Sequence, residues 1–333
     1  MSNHFLSPLD LNDHELELVL KRARRMKADK TPLGPKSLRV GALFFNPSLR
    51  TRVSFEQAAR QIGASCQTLN AGQDMWVLEM DPNAVMDVDR QECIVEAAGV
   101  LGRFFPVIGV RSFPRGGPWE EERQEPVLKA FAEYSGSTII SLEGAMHHPC
   151  QGLADHLTVL EHFGPNLKGV KVAMTWAWHP RALPMAVPHS FALQMARAGV
   201  DLTVTHPAGY DLDPEVMSQI RAESNHSGGS FTLAHDRDAI AGAQVVYTKS
   251  WGATSLAGTG NPEHLRNWTF DEEAWEWTAQ AKAMHCLPVR RNVEIASSIL
   301  DSSRSIVLDE AENRLWAQAG LLEVVARRAG VLD

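Results

Sequence analysis

The strongest chemical signal in the sequence is the run Phe44-Phe45-Asn46-Pro47-Ser48-Leu49-Arg50-Thr51-Arg52-Val53-Ser54-Phe55-Glu56. An apolar strand runs into a turn and then into a helix. Ser48 and Thr51 are good N-cap residues, and the first backbone N–H groups of the helix lie behind them. A helix N-terminus is a natural anion site. Arg50 and Arg52, in the same turn, would add planar bidentate contacts to a phosphate. A plain capped helix with solvated arginines would use the same residues. No G-x-x-x-x-G-K-[ST] occurs anywhere and no G-x-G-x-x-G follows a strand, so neither a Walker A loop nor a dinucleotide site is expected.

Three further clusters fall at the expected C-terminal ends of strands, where open α/β sheets bind ligands. Arg111 lies just past Ile108-Gly109-Val110. Glu143 follows Ile139–Leu142, and His147-His148-Pro149-Cys150-Gln151 starts the next helix. His285-Cys286-Leu287-Pro288-Val289-Arg290-Arg291-Asn292 follows another strand. Taken singly, each reads as structural or solvated. Taken together, they would set three to four arginines, a histidine and a glutamine around one anion. His147 and His148 are adjacent, so they cannot share a helix face as i, i+4 ligands would, and no metal is expected. Cys286 has no evident base beside it and reads as a wall rather than a nucleophile.

The elements that position these residues follow from hydropathy. Short apolar runs at 38–45, 66–69, 107–110 and 138–142 alternate with helical stretches at 10–27, 51–62, 91–101 and 125–134. That alternation predicts a parallel sheet covered on both faces. After a helix over 148–163 the pattern restarts, with strands expected at 170–175, 201–205, 230–233, 245–248 and 283–285 and helices at 183–198 and 214–224. The fold class expected is α/β, with two doubly wound domains, each a mainly parallel sheet flanked by helices. Their spans are 1–150 and 151–310, and a last helix over 310–330 is expected to dock back on the first. Two stretches break the rhythm, Gln73–Val88, which holds Met75, Trp76, Val77, Leu78 and Met80, and Ser250–Trp268. Long loops of this kind are often functional. The other tryptophans are expected in packing roles.

The 333 residues fit about two domains. The sequence is 44 % hydrophobic and 22 % charged, as in ordinary globular chains, and its net charge of −8 argues against a nucleic-acid binder. Four scattered cysteines without a C-x-x-C pair suggest a reduced, cytoplasmic protein. Neither a signal peptide nor a membrane-spanning run is expected.

Ser48-Leu49-Arg50-Thr51-Arg52, His148-Pro149-Cys150-Gln151 and His285-Cys286-Leu287-Pro288 together resemble the carbamoyltransferase family, in order and spacing and over nearly the whole chain. The resemblance implies one domain for carbamoyl phosphate and one for the amine, no metal or organic cofactor, and a homotrimer with shared active sites. It implies that Ser48, Leu49, Arg50 and Thr51 hold the phosphate and that Arg111, His148, Gln151 and Arg290 surround the carbamoyl group and phosphate. Trp76 is expected to enter a neighbouring subunit's site. Glu143, Lys249, Cys286 and Leu287 are expected to contact the amine substrate.

Ornithine-specific members usually carry D-x-x-x-S-M-G where this sequence has Val246-Tyr247-Thr248-Lys249-Ser250-Trp251-Gly252. A lysine cannot accept hydrogen bonds from an ammonium group. With Trp76, Thr175–Pro180 and Asp309–Arg314, this is similar to the N-acylornithine branch, which carbamoylates N-acetylornithine or N-succinylornithine in arginine biosynthesis. Gln91 aligns with the branch's acyl-selecting position, where acetyl members carry Glu and succinyl members Pro. Gln has the bulk of Glu, which favours acetyl, but lacks the charge that would repel a succinyl carboxylate. Glu294 stands where acetyl members can carry Lys.

Overall fold

The computed structural model describes residues 3–87, 89–114, 116–253 and 261–332. Val88, at the end of the Gln73–Val88 stretch, and residues 254–260 of the Ser250–Trp268 stretch lie outside the described residues. The chain divides into two compact units. One takes in Met1–Arg115, Glu120–Leu153 and Arg314–Asp333, the other Gly116–Trp119 and Ala154–Asn313.

The strands of the first unit are β1 (Arg39–Phe44), β2 (Ser65–Asn70), β3 (Leu78–Glu79), β4 (Glu92–Cys93), β5 (Val107–Arg111) and β6 (Thr138–Glu143). Four of them form a wholly parallel sheet in the order β2-β1-β5-β6. β5 and β6 are buried along their whole length, which is why they read as unbroken apolar runs. The helices are α1 (Asp13–Asp29), α2 (Leu49–Gln61), α3 (Ile94–Phe104), α4 (Trp119–Glu122), α5 (Pro126–Tyr134) and the start of α6 (Pro149–Phe163). The sequence predicted loop over Gln73–Val88 and helix from Gln91. Instead Leu78–Glu79 pairs in parallel with Glu92–Cys93, and the helix starts at Ile94. A pair two residues long has no period to detect, and burial of the Leu78 side chain, 4 % exposed, holds it in place.

Two details of this unit set up its chemistry. A Cβ on Gly109 would come within 2.9 Å of the Phe55 ring, so α2 lies hard against β5 at that point. The β5–β6 register runs evenly to Val110↔Ser141 and then shifts, placing Arg111 opposite Glu143. A bulge of this kind re-aims side chains at the end of a strand.

The second unit holds β7 (Lys171–Trp176), β8 (Asp201–Thr205), β9 (Ser230–Ala234), β10 (Val245–Lys249) and β11 (Lys282–Met284), a parallel sheet in the order β11-β10-β7-β8-β9. Its helices are α7 (Ala186–Arg197), α8 (Pro214–Ser227) and the short α9 (Glu272–Glu276) and α10 (Ser297–Leu300). Asp213 caps α8 at its start, and Gly228 ends it at φ 77°, a left-handed conformation suited to glycine. The last helix, α11 (Val307–Arg328), passes from the second unit into the first at Arg314. Within the first unit it crosses α1 closely, since a Cβ on Gly320 would sit 2.5 Å from the Val19 carbonyl oxygen. Among the described residues, no helix is long and apolar enough to cross a membrane.

Candidate active site

In the first unit the turn after β1 becomes the start of α2. Ser48 is the N-cap, and its hydroxyl accepts a hydrogen bond from the Thr51 backbone N–H at 3.2 Å. The Leu49 side chain is 74 % exposed, so its contribution to an anion site is its backbone N–H. Asn46 ties this turn to the end of β5 by accepting from the Phe113 N–H at 2.7 Å. Thr51 is buried, and its hydroxyl accepts from Arg314 Nη2 at 2.7 Å and from Arg111 Nη1 at 3.5 Å. A hydroxyl with both lone pairs engaged keeps its proton to donate elsewhere.

Arg111 also pairs with Glu143, the residue the bulge sets opposite it, and its guanidinium lies 4.4 Å from the centre of the Phe113 ring. Glu143 Oε2 stands 3.4 Å from His148 Nε2. Burial, and then the charges of Arg314, Arg111 and Arg50, push the His148 imidazole well below its usual range. The ring is therefore neutral at neutral pH and can serve as a hydrogen-bonding group. Gln151, one turn along α6, is buried at the same place in the chain. The positive charge that these arginines gather at a helix N-terminus suits a phosphate. Burial pushes the Cys150 thiol up to about 12, so it is no nucleophile.

The second unit carries the other cluster at the C-terminal ends of β7, β10 and β11. Lys249 ends β10 and is buried, with Nζ donating to the Ser250 carbonyl at 3.1 Å. Arg290 Nε donates to His179 Nε2 at 2.9 Å. His179 Nδ1 meets the Arg181 backbone on its other side, accepting from the Arg181 N–H at 3.0 Å with the Arg181 carbonyl at 2.9 Å. His285, just past β11, is fully buried. Its Nδ1 accepts from the Leu287 N–H at 2.8 Å, which turns Nε2–H toward Glu294 Oε1 at 3.5 Å. Glu294 Oε2 accepts from the Arg290 N–H at 2.8 Å. Burial pushes the Glu294 carboxyl up, but His285, Lys249 and the Arg290 N–H outweigh it and hold the group at about 2. Cys286 is buried and lies against the Tyr247 hydroxyl. Leu287 stands next to it at φ 56°, before a cis peptide to Pro288.

Ser48, Leu49, Arg50, Thr51, Arg111, Glu143, His148 and Gln151 thus fall on neighbouring strand ends and helix starts of the first unit. Lys249, Cys286, Leu287 and Arg290 do so in the second. Trp76 and Gln91 stand apart from both groups. Trp76 is 62 % exposed just before β3 and Gln91 is exposed just before β4, at the same end of that short ribbon. Glu143, expected to contact the amine, is paired with Arg111 inside the anion cluster. Arg52, expected to face the anion, pairs with Glu56 at 3.4 Å on the exposed side of α2.

The sequence reading cites His179 and Arg314 only within Thr175–Pro180 and Asp309–Arg314, as marks of the branch, and gives neither a role in the site; it does not single out Glu125. Arg314 lies 263 residues from its partner Thr51. Apart from that stretch, it shows locally only as a buried arginine among the apolar residues of α11. Among the described residues, no group of three or more His, Cys, Asp or Glu side chains is placed to hold a metal ion.

Comparison with known proteins fits both units. Residues 3–161 match the aspartate/ornithine carbamoyltransferase carbamoyl-P binding domain, and residues 168–325 match the Asp/Orn binding domain. The chain is 41 % identical to the N-acetylornithine carbamoyltransferase of Xanthomonas axonopodis pv. citri (strain 306), over 98 % of each chain. It is 39 % identical to the N-succinylornithine carbamoyltransferase of Bacteroides thetaiotaomicron, over 82 % of each. A crystal structure of acetylornithine transcarbamylase complexed with acetylcitrulline is 40 % identical, with a TM-score of 0.92 and 99 % of each chain covered. The two matched domains together span nearly the whole sequence, and the chain belongs to the aspartate/ornithine carbamoyltransferase family.

Proposed function

We propose that this protein transfers the carbamoyl group of carbamoyl phosphate to the δ-amine of N-acetylornithine, giving N-acetylcitrulline and phosphate, as a step of arginine biosynthesis. The first unit, with the final helix, takes carbamoyl phosphate, and the second takes the amine. The observation that carries the choice of amine is Lys249, a buried lysine at the end of β10 whose charge acts on Glu294. Free ornithine would bring its α-ammonium to a group that cannot accept from it, whereas an acylated nitrogen is neutral and its carbonyl accepts.

Ser48, Leu49, Arg50 and Thr51 hold the phosphate at the N-terminus of α2. Arg111, His148 and Gln151 act on the carbamoyl oxygen and amide, and Arg290 acts with them from the second unit. The neutral δ-amine attacks the carbamoyl carbon, a tetrahedral oxyanion forms, and the C–O bond breaks as phosphate leaves and takes up the proton that the amine nitrogen gives up. Donors already fixed by the fold stabilise the oxyanion without reorganising, and the arginines offset the charge growing on the phosphate. Holding the two substrates in line supplies much of the remaining acceleration. Glu143, Lys249, Cys286 and Leu287 contact the acylornithine. Glu143 changes partner from Arg111 as substrates bind.

The protein is read as a cytoplasmic homotrimer in which Trp76 enters a neighbour's site. Exposed Trp76, Val77, Leu49 and Val53 on the first unit support an apolar meeting surface. Sedimentation of the purified protein tests this, a monomer being the refuting result. A second reading, N-succinylornithine as substrate, is favoured by Gln91, which is uncharged and exposed.

The experiment is a colorimetric assay of the ureido product with carbamoyl phosphate and, in parallel, N-acetylornithine, N-succinylornithine and free ornithine. Preference for N-acetylornithine is expected. Preference for the succinyl substrate selects the second reading, and turnover of free ornithine alone refutes the role given to Lys249.

A further inference from the structure

Glu125 precedes α5 with a left-handed backbone, φ 56° and ψ 50°, and its side chain does not cap that helix. The carboxylate instead accepts backbone N–H groups from Met146, Ala145 and His147. Those residues form the turn between β6, which ends at Glu143, and α6, which starts at Pro149. The turn is closed by the Gly144 N–H donating to the His147 carbonyl at 2.9 Å, and all of its residues are buried. It therefore has Glu143 at one end and His148 at the other, two members of the anion cluster.

Successive N–H groups pointing into one concavity form an anion-binding nest. Here an internal carboxylate fills it. The fit is close, since a Cβ on Gly144 would lie 2.1 Å from Glu125 Oε2 and 2.6 Å from Oε1. Glycine at 144 is thus what lets the carboxylate reach the turn. Burial pushes the Glu125 carboxyl up to about 7 even though the three N–H groups and Lys129 pull it down, so the group is kept where solvent does not favour its charge.

We propose that Glu125 is a positioning residue of the carbamoyl phosphate site. It acts through the Gly144–His147 turn, holding that turn in the conformation that presents Glu143, His148 and Gln151. Glu125 touches no substrate. Its effect is on where the residues of α6 and the end of β6 stand. This inference rests on the assignment of carbamoyl phosphate to the first unit.

The test is isothermal titration of carbamoyl phosphate into the wild-type protein and into Glu125→Gln, Gly144→Ala and the double variant, with steady-state kinetics and thermal melting on the same preparations. The amide of Glu125→Gln offers one acceptor and turns a donor toward the turn. Gly144→Ala pushes a methyl group onto the carboxylate. Each single variant is expected to raise the Kd and KM for carbamoyl phosphate about tenfold, with the KM for the amine within twofold. The double variant is expected to be no worse than either single one, because both act on one contact. If Glu125→Gln does not fold, Gly144→Ala carries the same reading. A lowered melting temperature with an unchanged Kd would make the contact structural only and overturn the proposal, as would independent, additive effects of the two substitutions. Absence of carbamoyl phosphate binding by the wild-type protein would overturn the functional assignment itself and this inference with it.

Discussion

Replacing Arg314 with methionine removes a guanidinium and keeps most of its length and bulk. Arg314 is 3 % exposed, donates to the Thr51 hydroxyl at 2.7 Å and bears on the His148 ring. A hydrogen bond from a charged donor contributes about 1.5–3 kcal/mol. Thr51 keeps only the longer contact from Arg111, at 3.5 Å, so its hydroxyl loses its fixed direction. With much of that energy expressed in phosphate binding, the KM for carbamoyl phosphate should rise by roughly one to two powers of ten. Removing a buried charged donor also costs the fold, and the melting temperature should fall by several degrees. Arg314 is also one of the charges that hold the His148 imidazole down, so any acid limb due to His148 should shift to higher pH. The assay is initial rate against carbamoyl phosphate at saturating N-acetylornithine, from pH 5 upward, for Arg314→Met, Thr51→Val and both together. A coupling energy of about 1 kcal/mol or more between the two positions is expected. A well-folded Arg314→Met enzyme with a KM within twofold of wild type, an unmoved acid limb and no coupling to Thr51 would refute the reasoning.

Three other outcomes are expected. The Glu294 carboxyl is held at about 2 against its usual 4.5, so its contribution to stability is present above about pH 4.5 and is lost as pH falls toward 2. Glu294→Gln should therefore cost up to roughly 3 kcal/mol at pH 7, with the gap to wild type closing toward pH 3 in urea titrations; a gap that stays constant would contradict this. Gln91→Glu should lower turnover of N-succinylornithine relative to N-acetylornithine by about tenfold through like-charge repulsion, and Gln91→Pro should do the reverse; an unchanged ratio for both removes Gln91 from acyl selection. The Cys66 and Cys150 thiols are both pushed up to about 12 by burial, so iodoacetamide at pH 8 should leave both unmodified in the native protein, as read by peptide mass spectrometry; rapid labelling of Cys150 would refute its burial.

The parallel sheets were legible because their central strands are buried on both faces and read as apolar runs, as at Val107–Arg111 and Val245–Lys249. The ribbon of Leu78–Glu79 and Glu92–Cys93 was not, since two residues carry no period. Ser48 could be read as an N-cap from its place between strand and helix, but the fates of Arg50 and Arg52 could not be read together. Residues two apart on a helix do not face the same way, and Glu56, four residues beyond Arg52, takes up its charge. Arg314 and Glu125 escaped because their partners lie far off in sequence, at Thr51 and at Ala145–His147, and no local pattern marks such pairs. The hydrogen bonds of the His179 and His285 rings likewise depend on donors at Arg290 and Leu287 that only the fold supplies.

The first unit is discontinuous in the chain, and this has a consequence for how the protein is made. Its residues up to Leu153 leave the ribosome first, while Arg314 and the rest of α11 follow only after the second unit's long segment, Ala154–Asn313. At typical synthesis rates that segment takes roughly 10–30 s. Throughout that interval α1 lacks the helix that crosses it at Gly320, leaving the side chains around Val19 and Ala23 uncovered, and the Thr51 hydroxyl lacks its buried donor. A nascent chain can therefore form the parallel sheet of its first unit early, yet make the Thr51–Arg314 hydrogen bond only after the second unit has been made. A circular permutant that begins at α11 and runs on into α1 would remove the wait, and its newborn first unit should resist protease where the natural order leaves it open.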